Sequence, residues 1–103
     1  MRLKALEKNL SPQAWQKLNT FKALVNPSMN ANFNSSDELA WYDFIIQIHL
    51  DQCEIDYDIF QQWLIQDIKF SGKAASILSD RLSSGLFLLN HYESWIHLKL
   101  IYR

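Results

Sequence analysis

Hydrophobic positions are densest between Ser35 and Asp51, SSDELAWYDFIIQIHLD. On a 3.6-residue wheel the continuous polar stripe runs Ser36, Asp43, Gln47, Asp51, with Ala40 between. Leu39, Trp41, Tyr42, Phe44, Ile45, Ile46, Ile48 and Leu50 take up nearly all the rest. A helix apolar around most of its circumference is expected to be buried on most of it. The pattern therefore predicts a central buried helix at about 36–51. Its start is marked by Ser35 and Glu38 at the S-x-x-E spacing of a capping box, and by the charges of Asp37 and Glu38 near the free N–H groups of the first turn.

The flanking pattern supplies what covers this helix. Leu3, Leu6 and Leu10 have the spacing of a short helix over residues 2–9. Ser11-Pro12 then reads as an N-cap and first helical position, opening a helix whose apolar face is Trp15, Leu18, Phe21 and Val25. Asn26-Pro27 stops it, because the residue before proline is pushed out of the α region. Residues 26–35 have four Asn and no periodicity, which predicts a loop pinned to the core by Met29 and Phe33.

Beyond the central helix, Asp56 is a predicted N-cap, with Ile55 and Phe60 at the positions of a hydrophobic staple. Phe60, Trp63, Leu64 and Ile68 follow as a core face. Ser71 is placed to cap a helix from residue 73 to about 89, in which Ala75, Leu78, Leu82, Leu86 and Leu89 keep helical spacing and Gly85 lets another helix approach closely. Residues 93–103 read two ways. Ile96, Leu98, Leu100 and Tyr102 alternate as in a strand, whereas Trp95, Leu98 and Tyr102 make a helical row. Helix is preferred, since a lone strand would need a partner from residues 86–89 or from a second subunit. Trp15, Trp41, Trp63 and Trp95 fall in four separate segments and read as anchors of one core.

The expectation is an all-α single domain over residues 1–103, a bundle of four to six helices around the central one. Composition supports this class: 49% of residues are apolar, which opposes intrinsic disorder, and two Gly with two Pro are too few for the turns of a β-sandwich or barrel. The single cysteine, Cys53, fits a reducing compartment. With no apolar leader in MRLKALEKNL and no run approaching the ~20 residues of a membrane span, a cytoplasmic protein with no membrane association is expected.

Charge changes the picture most. Between Ala23 and Ile68 there is no Lys or Arg and there are eight acids, a balance of −8; the two ends together carry +7. A negative face without interspersed cations attracts a basic partner and speeds encounter. Asp43, Asp51, Glu54, Asp56 and Asp58 are the candidate partner-binding carboxylates, and Tyr57 is a candidate anchor at their edge. The alternative is a solvated surface with helix caps, neutralised by the basic ends.

Other candidate chemistry is thin. His49 and Cys53 stand at i, i+4 but make two ligands, not a metal site, so no metal or other cofactor is expected. No Ser-His-Asp order, phosphate loop, H-E-x-x-H or C-x-x-C is present, and no enzyme activity is expected. A nucleic-acid reading rests on Lys69, Lys73 and Arg81 and on the basic ends, and residues 60–89, FQQWLIQDIKFSGKAASILSDRLSSGLFLL, resemble the second half of a helical core-binding domain of the integrase type. These three cations are few for a phosphate-binding face. The functional expectation is a small non-enzymatic protein-binding module of the inhibitor, antitoxin or immunity type. It would occlude a basic site on a nuclease or other nucleic-acid-handling protein. A structural homo-oligomer and a helical nucleic-acid-binding module are the alternatives.

Overall fold

A computed structural model describes Leu6, residues 8–29 and residues 33–101, and for residue 29 and residues 92–101 the backbone alone. The described chain is mostly helical and contains no strand. Its four α-helices are α1 (Pro12–Leu24), α2 (Ser35–Asp51), α3 (Tyr57–Trp63) and α4 (Gly72–Ile101); a 3₁₀ turn occupies Pro27–Met29 and a π turn occupies Leu64–Ile68. The predicted helix over residues 2–9 lies mainly outside the described residues. Within it Leu6, Lys8 and Asn9 are helical and Leu6 is buried.

Local chemistry sets the helix starts. Ser11 accepts the Ala14 N–H through Oγ at 3.0 Å, with Pro12 in the first helical position. Asp56 Oδ1 accepts the Asp58 and Ile59 N–H groups at 3.0 and 3.2 Å, and Ser71 Oγ accepts the Ala74 N–H at 3.1 Å. The cap of α2 lies one residue earlier than the Ser35–Glu38 spacing suggests. Asn34 Oδ1 accepts from the Asp37 amide at 2.9 Å, and Asp37 Oδ2 accepts the Asn34 N–H in return. This reciprocal pair buries Asp37 and releases Glu38 for an ion pair elsewhere.

The core is an aromatic stack filled in by aliphatics. Phe21, Trp41, Phe44, Phe60 and Trp63 are buried, and Trp41 touches the rings of Phe21, Phe44 and Phe60 at centroid distances of 5.1, 6.0 and 6.2 Å. Trp15 meets Trp63 edge-on at 5.9 Å. Phe33 packs on Phe21 at 5.4 Å and pins the end of the loop as expected, while the Met29 side chain lies outside the described residues. Edge-to-face and tilted pairs of this kind are favoured by the ring quadrupole.

Helix α2 departs from the wheel's expectation. It buries one face only, made of Asp37, Ala40, Trp41, Phe44, Ile45 and Ile48, against α1 on one side and α4 on the other. Leu39, Tyr42, Ile46 and Leu50 are 67%, 51%, 44% and 65% exposed. The neighbouring helices cover that one face, and the apolar positions beyond it stay open.

The C-terminal segment is also resolved against one of its two readings. The strand alternative for residues 93–103 is overturned, because a single helix runs unbroken from Gly72 to Ile101; the last two residues lie outside the described set. No Gly or Pro follows Gly85, so nothing stops propagation. Thirty residues of helix span about 45 Å, close to the 47 Å longest dimension of the molecule. Its inner face, Ala74, Ala75, Leu78 and Leu82, is buried, but no side chain from residue 83 to His91 is fully buried.

Candidate functional site

The acids of the middle segment meet different fates. Glu38 accepts from Arg81 Nη2 through both oxygens, at 3.0 and 3.3 Å, and the guanidinium also lies over the rings of Phe33 and Trp41 at 5.4 and 5.9 Å. Asp67 stands 3.8 Å from Lys22 and Asp43 stands 3.9 Å from Lys17. Three carboxylates of the cation-free segment are thus matched by cations from the ends. Asp43 is one of them, and it sits two turns back along α2 from Asp51.

The other candidate residues share one corner. Asp51 closes α2, Gln52 turns the chain through left-handed backbone at φ 52°, Glu54 and Asp56 lie in the connection, and Tyr57 and Asp58 open α3. Asp51, Glu54, Asp56 and Asp58 are exposed and Tyr57 is half-buried. None of the four carboxylates has a Lys or Arg partner among the described residues. Asp51 Oδ2 accepts from Ser11 Oγ and from Gln47 Nε2, the latter at 3.0 Å. These two bonds, Ser11 first, hold its carboxyl below the usual carboxylate range, against a small opposing effect of desolvation. Asp56 is occupied as a cap, and beside it a depression of about 490 Å³ is walled by Asp56, Asp58, Ile59 and Ile65.

Cys53 is drawn into the same corner structurally. Its Sγ accepts the Ser11 N–H at 3.5 Å, and its own N–H donates to Ile48 O at 3.1 Å. Among the described residues no group of three or more His, Cys, Asp or Glu is placed to hold a metal, and no helix is long and apolar enough to cross a membrane. Of the three cations implicated in nucleic-acid binding, Arg81 is engaged by Glu38.

A second surface is absent from the sequence reading. Between α2 and α4 an open groove of about 760 Å³ is lined mainly by apolar atoms, with Trp41, Tyr42 and Ile45 on one wall and Gly85, Leu88 and Leu89 on the other. Gly85 lets the helices meet at its base, where a β-carbon would stand 3.3 Å from Ile45 Cδ1. Leu88 is 62% exposed at the rim. The signal for this surface was in the sequence, as the surplus of apolar positions on α2 beyond what its neighbours can cover. No protein-family model, curated protein or solved structure matches this chain.

Proposed function

We propose that the chain is a non-enzymatic protein-binding module of the inhibitor, antitoxin or immunity type, whose acidic corner occludes a basic site on a partner protein. The observation that carries this reading is the run Asp51, Glu54, Asp56 and Asp58, exposed within eight residues and without a described cation beside it. Coulombic attraction of such a corner steers a cationic groove toward it, and Tyr57 with the depression along α3 supplies contact area that the charges alone lack. Asp43, held by Lys17, sits farther along α2 and contributes to the field more than to contact. A nuclease or another nucleic-acid-handling protein presents the complementary surface, and the cytoplasm is the compartment in which such a partner would be met. In this reading α2 is the organising centre of a bundle of four to six helices, in keeping with its packing against both α1 and α4.

The test is capture of a basic partner by the wild-type chain, compared with a variant carrying Asp51→Lys, Glu54→Lys and Asp58→Lys together with Asp56→Asn, which keeps the cap. Affinity is expected to fall by roughly tenfold or more and to weaken with added salt. Equal affinity of variant and wild type removes the mechanism. Filter binding to duplex and single-stranded nucleic acid at two salt concentrations tests the rival reading directly.

A further inference from the structure

We infer that the exposed face of α2 receives a basic amphipathic helix of the partner, an inference that rests on the protein-binding reading above and names the element that meets it. Leu39, Tyr42, Ile46 and Leu50 recur at i, i+3, i+7 and i+11, and each is at least 44% exposed. From Leu39 to Leu50 the row runs about 16 Å, or about three turns. Large apolar side chains at that spacing match the apolar face of a second helix, whose own side chains recur with the same period.

What flanks the row decides what covers it. On the α1 side runs the polar stripe Asp43, Gln47 and Asp51, a placement fixed by the Lys17 ammonium near Asp43 and the Ser11 hydroxyl on Asp51. On the α4 side lies the open groove, which Tyr42 also lines. The row ends at Leu50, next to Asp51, the first carboxylate of the acidic corner, so the apolar and acidic surfaces adjoin. Helix α2 carries no Lys or Arg of its own. Lys17 stands 3.9 Å from Asp43 with both side chains largely exposed, a pair that contributes little and yields to a competing cation.

Charge then selects among occupants. A second copy brings the same acids and no cation on α2, so an antiparallel pair of these faces sets the two acidic stripes side by side. A neutral apolar helix would desolvate Asp43 and Asp51 without supplying a counter-charge. A helix with Lys or Arg along one edge of its apolar face meets both demands. Its apolar side chains cover the row, and its cations face the stripe and the corner. The charges speed encounter, and the apolar contact slows release.

The probe is a synthetic peptide of about 18 residues made of Leu and Lys, with Leu at helical spacing and length enough to span the row. A scrambled peptide of the same composition and a periodic peptide with Glu in place of Lys are the controls, and fluorescence anisotropy with the full chain reads binding. Wild type is expected to bind the periodic Leu-Lys peptide roughly tenfold or more tightly than either control. Leu39→Gln, Ile46→Gln and Leu50→Gln together are expected to weaken it roughly tenfold or more while the circular dichroism spectrum is kept, since all three positions are exposed. Leu39→Gln alone is expected to give a smaller loss in the same direction. The acidic-corner variant described above is expected to weaken binding and to flatten its salt dependence. Binding that the row variant leaves unchanged and the corner variant abolishes overturns the inference and leaves the acidic-corner reading standing. Binding that the corner variant leaves unchanged removes that reading, and this inference with it. Equal binding of periodic and scrambled peptides, or no binding of either, overturns the inference, as does a wild-type dimer in sedimentation equilibrium that the row variant dissociates.

Discussion

Replacing Gly85 by alanine weighs two opposed effects of known size at the point where α2 and α4 meet. In a helix interior alanine is favoured over glycine by about 0.8–1.0 kcal/mol. Its β-carbon would stand 3.3 Å from Ile45 Cδ1 and 3.5 Å from Ile45 Cγ2, and Ile45 is only 4% exposed, so the side chain has little room to retreat. The closer contact is shorter than the ~3.5–4.0 Å optimum for carbon pairs, and small overpackings of this sort cost about 1 kcal/mol at the low end. The single variant is therefore expected to be nearly neutral. Ile45→Val removes Cδ1 and leaves the 3.5 Å contact, which is ordinary; on its own it costs about 0.5–1.5 kcal/mol. In that background Gly85→Ala is expected to stabilise by about 1 kcal/mol, a coupling well above the ~0.3–0.5 kcal/mol scatter of independent sites. Urea unfolding of the four proteins, followed by circular dichroism at one protein concentration, reads the cycle. A gain of about 1 kcal/mol in both backgrounds would show that the two helices do not touch at Gly85, and the groove built on that contact would fall with it.

Two further perturbations probe other links. Ser11→Ala removes the cap of α1 and is expected to cost about 1 kcal/mol through that bond. It also removes the first hydrogen bond holding the Asp51 carboxyl below its usual range. A carboxylate with a depressed folded-state pKa contributes stability that is complete above its unfolded value and is lost as pH falls through the lower folded value. The wild type should therefore keep this contribution at neutral pH and lose it in acid below about pH 4, while Ser11→Ala flattens that limb of the midpoint-versus-pH curve; an identical acid limb would contradict the assignment. Trp63→Ala, at a side chain 1% exposed between Trp15 and the Lys22 ammonium, is expected to cost about 3–5 kcal/mol in denaturant unfolding. A loss under about 1 kcal/mol would place this ring outside the core.

What could be read before the structure was local. Ser11, Asp56 and Ser71 cap their helices because each bond closes within three residues, and Phe60, Trp63, Leu64 and Ile68 line one face because the period alone puts them there. The α2 start moved by one residue because Asn34 and Ser35 are both capping types, and only the backbone shows which amide is reached. The π turn at Leu64–Ile68 has no Gly or Pro to announce it, and Lys69 enters left-handed backbone at φ 75° without the residue type that favours it. Residues 93–103 satisfied two periods at once because Leu98 and Tyr102 belong to both the alternating row and the helical row, so the short segment could not separate them. The pairing of Glu38 with Arg81 joins residues 43 apart, and a charge map drawn along the chain cannot show it. The open face of α2 had the same cause: a wheel shows how much apolar surface a helix offers, and tertiary contacts decide which part stays uncovered.

The edge-on pair of Trp15 and Trp63, with centroids 5.9 Å apart and planes inclined at 62°, has a spectroscopic consequence. Two indole chromophores this close and this skewed couple their electronic transitions into an exciton pair, whose optical activity overlaps the amide bands. Helicity deduced from ellipticity at a single wavelength will misjudge the content of this chain. Disappearance of that couplet gives a private optical marker for the separation of the first and third helices, independent of whether either of them uncoils.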